Sequence, residues 1–308
     1  MDSLIEKIKE KNSPIVMGID PKYEMIPEYI RNQYPKDLVG FAESSIEFAK
    51  GLIDATYDII PAIKPQLAYF EMMGPNGLTA FQEIVDYAKS KGLIIIADAK
   101  RGDIGTTSGA YSNAFLGKTS LGDYEEEIYS ADFVTVNPYM GSDAIMPFAE
   151  DCKKYNKGLF ALVKTSNKSS GELQDLKLEN GKKVYEHVIS LVEEWGKDLR
   201  GKFGYSSISA VVGATYPEQL KTLRKLAPHT FFLIPGYGAQ GGKAEDIALG
   251  FDENGLGGIV NASRSLMCAY KLDRWKDEFK EEEYYKATRA EAIRMRDELN
   301  QAIKKGGF

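Results

Sequence analysis

The chain alternates between short apolar runs, rich in Ile, Val and Phe, and longer amphipathic stretches of helical period. Eight of the short runs have the length and composition of β-strands. These runs are PIVMGID (14–20), DIIPAIKP (58–65), LIIIADAK (93–100), DFVTVNP (132–138), GLFALVKTS (158–166), SISAVVGAT (207–215), TFFLIPGYG (230–238) and LGGIVNASR (256–264). Because each run is apolar almost without interruption, we expect both faces of every strand to be buried, as in a parallel sheet.

The order of these elements predicts the fold. Helical patterns such as LTAFQEIVDYAKSKG separate successive strands, and a last one follows the eighth strand. Eight β/α units in 308 residues predict an α/β protein, a single (β/α)8 TIM barrel over residues 1–308, with a doubly wound sheet as the alternative. Two connections, near 21–40 and 165–181, are extended. The second is either a lid over a ligand or a plain surface loop.

Composition narrows the classes of function. The net charge is −6 and the basic residues are dispersed, so we expect no nucleic-acid partner. The longest apolar runs are of strand length, so we expect no membrane span. Two cysteines in a chain of this size predict independence from disulfides and a cytoplasmic location. With only two histidines, His187 and His229, we expect neither His-based acid–base catalysis nor a His-rich metal site.

Polar residues gather at or just after the carboxyl ends of the predicted strands. In a parallel barrel these ends share one rim, where active sites are built. The residues concerned are Asp20, Lys64, Asp98, Lys100, Ser166, Gln240 and Arg264. We therefore expect side chains that are far apart in sequence to converge in one pocket.

The stretch ADAKRGD contains the most concentrated charge at this rim. Asp98 and Lys100 are two residues apart on a strand, so their side chains point to the same face. Lys64 ends the neighbouring strand and Asp103 lies in the following turn, which predicts an alternating Lys–Asp–Lys–Asp network. Buried charges persist only with such pairing. For Asp98 and Lys100 alone, a purely structural ion pair is the alternative.

The stretch PGYGAQGG (235–242) contains a formal G-x-G-x-x-G after the seventh strand. A Rossmann dinucleotide site needs this motif early and an acid at the end of the next strand, but here the next strand ends in NASR. A phosphate-binding loop is the preferred interpretation, because barrels commonly bind phosphate after strands seven and eight. Gln240 can donate to the anion and Arg264 offers a bidentate fork. The alternative is that the glycines only form a turn.

Together these segments resemble the orotidine 5′-phosphate decarboxylase family, in order and along nearly the whole chain. The segments are GID (18–20), AIKPQLAYFE (62–71), ADAKRGDIGTT (97–107), PGYGAQGG (235–242) and NASRS (261–265). The D-x-K-x-x-D core is shared with related sugar-phosphate enzymes, whereas its combination with the other segments is specific. The chain resembles the longer bacterial-type variety, with extended loops after strands one and five.

The resemblance implies a carboxy-lyase of pyrimidine biosynthesis that converts orotidine 5′-phosphate to UMP and CO2 without a cofactor or a metal. It also implies a homodimer with active sites at the subunit interface, where Asp103 and Thr107 reach the site of the partner subunit. Lys100 would be the proton donor to C6, and Asp98 would lie beside the substrate carboxylate. Lys64 would bind the ribose hydroxyls.

The remaining binding residues also follow from the resemblance. Asp20 would share the ribose with the strand-two lysine, and Gln240 and Arg264 would hold the phosphate. Ser166 would contact the pyrimidine from the stretch 165–170. Tyr237 is a candidate for a tyrosine that some relatives place on the phosphate.

Two other functions remain open from the sequence. A related metal-dependent sugar-phosphate lyase or synthase would hold Mg²⁺ with carboxylates from several strand ends, but Lys64 stands where such a site prefers an acid. A non-catalytic nucleotide-binding barrel would keep Gln240 and Arg264 and would not need Lys100 and Asp98. A dinucleotide-dependent oxidoreductase is a more distant third.

Overall fold

A computed structural model of the protein describes residues 1–238 and 242–306. The strands within them are β1 (Ile15–Ile19), β2 (Ala62–Pro65), β3 (Ile94–Arg101), β4 (Thr119–Leu121), β5 (Tyr124–Glu126), β6 (Phe133–Val136), β7 (Gly158–Lys164), β8 (Ile208–Val212), β9 (Phe232–Pro235) and β10 (Gly258–Ala262). Eight of them close a parallel barrel in the order β1-β2-β3-β6-β7-β8-β9-β10, and β10 pairs with β1. Each barrel strand coincides with one predicted run, and only β3 extends beyond its run, by one residue at Arg101, so the predicted (β/α)8 barrel is confirmed.

Helices lie before the first barrel strand, in the connections between strands and after the last strand. They are α1 (Asp2–Lys11), α2 (Glu28–Arg31), α3 (Leu38–Thr56), α4 (Leu67–Glu71), α5 (Pro75–Ser90), α6 (Gly105–Phe115), α7 (Ser142–Tyr155), α8 (Gly171–Gln174), α9 (Val184–Trp195), α10 (Pro217–Leu226), α11 (Ala244–Ala248), α12 (Arg264–Met267) and α13 (Tyr284–Gly306). Short 3-10 helices cover Tyr23–Met25, Pro138–Met140, Lys168–Ser170, Ala269–Lys271 and Glu281–Glu283. None of the described helices is long and apolar enough to cross a membrane.

The barrel strands are largely apolar because they separate two cores. Along β1, Ile15 and Met17 belong to the large cluster between the barrel and its helices, whereas Val16 belongs to a second cluster. That second cluster contains alternate residues of the other strands and also Leu4 and Ile5 of α1. Because α1 packs against this cluster and leads into β1, it lies at the amino ends of the strands. The charged residues lie at the opposite, carboxyl ends.

The two extended connections are ordered. The first contains a 3-10 helix and α2 before α3 begins, and the second contains a 3-10 helix and α8. An exposed antiparallel hairpin, β4 with β5, follows α6 and was not predicted. It joins through Gly122, whose φ of 66° suits the two-residue turn between the strands.

Candidate active site

The carboxylate of Asp98 is the centre of a buried ionic cluster at the end of β3. Lys64 Nζ on β2 lies 2.5 Å from Asp98 Oδ2, and Lys100 Nζ lies 2.5 Å from Asp98 Oδ1. Gln66 Nε2 donates to Oδ2 and Thr135 Oγ1 donates to Oδ1, each over 2.9 Å. Each carboxylate oxygen therefore accepts from one ammonium group and one neutral donor, which fixes the orientation of the carboxylate.

Lys100 reaches Asp98 because the backbone is irregular at this point. Its φ of 48° lies in the left-handed region, which a lysine adopts only at a cost. The pairing of β3 with β6 shifts register between Ala97 and Arg101, and Lys100 N donates to Thr135 Oγ1 over 2.9 Å. Such an irregularity redirects a side chain. Here it lets the ammonium group bond to a carboxylate two residues earlier on the strand.

Burial and charge act in opposite directions on this cluster. Burial alone would raise the pKa of Asp98, but Lys64 and Lys100 outweigh it and hold that pKa well below its usual range. Burial alone would lower the pKa of Lys64, but Asp98 and then Asp20 raise it above its ordinary value. Asp98 and Lys64 are therefore both charged at neutral pH although each residue is only 5% exposed. The side chain of Lys100 is 45% exposed and open to a ligand.

Two cavities meet at this cluster. A cavity of about 270 Å³, which we call the polar compartment, is lined by Asp20, Lys22, Gln66, Asn261 and Arg264 among others. A cavity of about 370 Å³, which we call the apolar compartment, is lined by Lys100, Thr135, Leu162, Ser166, Val211 and Leu233 among others. Lys64, Asp98 and Pro235 line both compartments. The two cavities are therefore parts of one site, with the ionic cluster between them.

Of the predicted ribose and phosphate residues, those that the structure describes line the polar compartment. Asp20 Oδ1 is buried and has no hydrogen-bond partner among the described residues, so it is an acceptor available to a ligand. Arg264 is exposed at the start of α12. Gln240 lies outside the described residues. Tyr237 also lines this compartment, but its hydroxyl group donates to Glu298 Oε2 over 2.9 Å.

Asp103 and Thr107 lie apart from the cluster within this chain. Asp103 Oδ1 accepts from Ile104 N over 2.8 Å, and the ion pairs of the described residues do not join Asp103 to Lys64 or Lys100. Thr107 is exposed on α6. A single chain therefore brings together three members of the predicted four-residue network.

Gln66 and Thr135 were missed as site residues by the sequence reasoning. Gln66 belongs to the segment AIKPQLAYFE, which carries part of the family resemblance, and it follows the end of β2 directly. Thr135 is the one polar residue in the run FVTV of β6, and an isolated polar residue in a buried strand is the signal that could have identified it. Both side chains donate to Asp98.

A parallel barrel with a charged cluster and joined cavities at the carboxyl ends of its strands has the architecture of a (β/α)8-barrel enzyme. Residues 13–272 match the family model described as the Orotidine 5′-phosphate decarboxylase / HUMPS family, so the chain belongs to that family. This confirms the family resemblance that the motifs indicated.

Individual relatives agree with the family match. A protein named orotidine 5′-phosphate decarboxylase from Caldicellulosiruptor bescii is 44% identical over 274 residues, which cover 88% of this chain and 90% of the relative. One of the same name from Clostridium tetani is 43% identical over 305 residues, 98% of each chain. The structure of Leishmania donovani OMP decarboxylase has a TM-score of 0.72 at 30% identity and covers 98% of both chains. The name is that of a carboxy-lyase, and the predicted enzyme class is confirmed.

Proposed function

We propose that the protein decarboxylates orotidine 5′-phosphate to UMP in pyrimidine biosynthesis and that it does so without a cofactor. The observation that carries the proposal is the Lys64–Asp98–Lys100 cluster between a polar and an apolar compartment. The names of the relatives support the substrate. From the few cysteines we expect the enzyme to act in the cytoplasm.

The two compartments match the two halves of this nucleotide. We assign the phosphate to Arg264 in the polar compartment, with Gln240 as its partner from the motif resemblance. We assign the ribose hydroxyls to Asp20, whose buried Oδ1 is an available acceptor, and to Lys64. The pyrimidine ring then occupies the apolar compartment, where Ser166 offers a polar contact.

Lys100 is the proposed proton donor. When the bond between C6 and the carboxylate breaks, its electron pair stays on C6 in an orbital that the ring π-system cannot delocalise. The ammonium group of Lys100 stabilises this charge and then gives a proton to C6, while CO2 leaves. A fixed charge in a water-poor pocket acts more strongly than the same charge in water. The exposure of the Lys100 side chain gives the substrate access to it.

Asp98 is the proposed residue that positions the proton donor, Lys100. Its carboxylate keeps Lys100 charged and oriented before the reaction, and it is itself fixed by Lys64, Gln66 and Thr135. In the bound complex Asp98 also lies beside the leaving carboxylate. Destabilisation of the ground state there is a secondary contribution.

We further propose a homodimer in which Asp103 and Thr107 complete the site of the partner subunit. Within the chain both lie away from the Asp98 cluster. The turn that carries Asp103 adjoins the start of the 3-10 helix after β6, because Gly102 packs against Asn137 O. Ile104 on this turn and Tyr139 on that helix are large apolar residues with exposures of 58% and 79%. A second copy of the chain would cover them.

The direct test follows the absorbance loss of orotidine 5′-phosphate with EDTA present. We expect turnover that EDTA leaves unchanged. A requirement for added Mg²⁺ would instead favour the metal-dependent sugar-phosphate lyase. Binding of UMP without turnover of the substrate would favour the non-catalytic nucleotide-binding barrel.

A further inference from the structure

Lys164 is a buried lysine that the proposed mechanism does not use. It ends β7, it is 0% exposed, and it does not line either compartment. Its Nζ donates to Asp175 Oδ2 over 3.0 Å and to Ser170 Oγ over 3.1 Å. The same nitrogen lies 4.9 Å from the centre of the Tyr216 ring. An ammonium group is thus enclosed between the strand end and the connection that follows it.

Asp175 links that connection to the helices around the barrel. Besides Lys164, its carboxylate accepts from Gln219 Nε2 on α10 over 3.3 Å and lies 3.7 Å from Lys183 Nζ. Burial would raise the pKa of Asp175, but its bond to Lys164 outweighs this and keeps the pKa below its usual value. The carboxylate is therefore charged at neutral pH and binds the connection to two separate elements.

A second contact closes the same stretch of chain. Gln174 Oε1 accepts from Thr165 N over 3.0 Å, and Gln174 Nε2 donates to Thr165 Oγ1 over 2.8 Å. The pairs Lys164–Asp175 and Thr165–Gln174 therefore join the two ends of one loop, residues 164–175, which we call the anchored loop. This arrangement confirms neither the lid nor the plain surface loop that the sequence left open, but it gives the loop a defined conformation.

The anchored loop forms part of the wall of the apolar compartment. Thr165, Ser166 and Asn167 line that compartment together with Lys100 and Asp98. A buried ion pair stabilises a fold no better than well-packed apolar residues of the same size. Its specific effect is to fix one arrangement of the polypeptide. The segment that it fixes here is part of the wall of the apolar compartment, to which we assign the pyrimidine.

We propose that Lys164 is a positioning residue that, through Asp175 and Ser170, holds the anchored loop in the conformation that binds the pyrimidine base. The proposal rests on the proposed function, because it assumes that the apolar compartment takes the base. The phosphate and ribose contacts lie in the polar compartment and do not depend on Lys164.

The test compares two probes that differ only in the base, UMP and ribose 5-phosphate, by titration calorimetry on the full chain. In Lys164→Met, which shortens the side chain by one atom and removes its charge, we expect the dissociation constant of UMP to rise about tenfold or more. That of ribose 5-phosphate should stay within about twofold, since the polar compartment is unchanged. Lys177→Met, at an exposed lysine of the same connection, is the matched control and should bind both probes as the wild type does.

A second variant tests the proposal in case Lys164→Met does not fold. The double variant Lys164→Met/Asp175→Asn removes both charges of the pair and leaves neither buried without its partner, so it should fold even if Lys164→Met does not, and it should show the same selective loss of UMP. The double variant should bind UMP no more weakly than Lys164→Met does, because both substitutions break the same contact, that between Lys164 and Asp175. Equal loss of both probes, or unchanged UMP binding in either variant, would overturn the role of Lys164 alone. Failure of the wild type to bind UMP would instead overturn the proposed function, and the inference with it.

Discussion

Lys64 Nζ and Asp98 Oδ2 lie 2.5 Å apart on neighbouring strands, and each residue is only 5% exposed. Removing two charges from water is costly, and their attraction offsets that cost only when the remaining polar atoms are also satisfied. Gln66 and Thr135 meet that condition for the carboxylate. The pair is therefore stable only as a complete set, and loss of one charge leaves the other buried without compensation.

Asp98→Asn should destabilise the protein by about 3–5 kcal/mol, the usual cost of leaving one member of a buried ion pair uncompensated. Urea unfolding at pH 7 measures this. Asp54→Asn is the matched control, because Asp54 pairs with Lys91 over 2.6 Å at the surface and its loss should cost much less. An Asp98→Asn variant as stable as the control would contradict the burial argument.

The effect of Asp98→Asn on the free energy of unfolding should depend on pH. Asp98 has a folded-state pKa below its unfolded value of about 3.9, so its ionised form adds stability above that value. This contribution is lost as the pH falls through the lower folded-state pKa. The difference in unfolding free energy between wild type and Asp98→Asn should be constant from pH 7 to about pH 5 and shrink below about pH 4. A difference that grows on acidification would reverse the assigned sign.

Lys100→Ala should reduce the rate of decarboxylation by at least about 10³-fold, because it removes both the proton donor and the charge that stabilises C6. UMP binding should remain largely intact, since Lys64, Gln66 and Thr135 still hold Asp98. Single-turnover kinetics and UMP titration separate the two effects. Lys118→Ala, a lysine near the β4–β5 hairpin, is the control for a general loss of positive charge. Turnover at the wild-type rate in Lys100→Ala would refute the assignment of the donor.

The barrel could be predicted from the sequence because its strands are buried on both faces. Runs such as PIVMGID contain residues of both cores, so few polar positions interrupt the strands. Once the barrel is assumed, the carboxyl ends of its strands must meet, and Lys64, Asp98 and Lys100 meet there. The position of these three residues at one rim follows from the strand ends and from the parity of positions along a strand, whereas the contact between Lys100 and Asp98 also depends on the local backbone.

Features set by irregular backbone or distant partners could not be predicted in the same way. The positive φ of Lys100 depends on a register shift between strands, which hydrophobic periodicity does not record. Lys164 is the last residue of an apolar run, and its carboxylate partner comes from a connection without periodicity. The β4–β5 hairpin did leave a signal, a Gly-Asp pair between two short strands, and this signal was overlooked.

Asp103 is one of two predicted site residues, with Thr107, that lie apart from the Asp98 cluster within one chain, and it provides the test of the homodimer. If Asp103 completes the partner's site, Lys100→Ala and Asp103→Ala should each be strongly impaired alone, because every site then lacks one group. Co-expressed with different tags, the two variants should form mixed dimers in which one site has both wild-type residues. Since half of randomly formed dimers are mixed and half of their sites are intact, activity should recover to about a quarter of the wild-type value. Purified mixed dimers without activity would show that Asp103 acts within its own chain, and a monomer on sedimentation analysis would remove the shared site altogether.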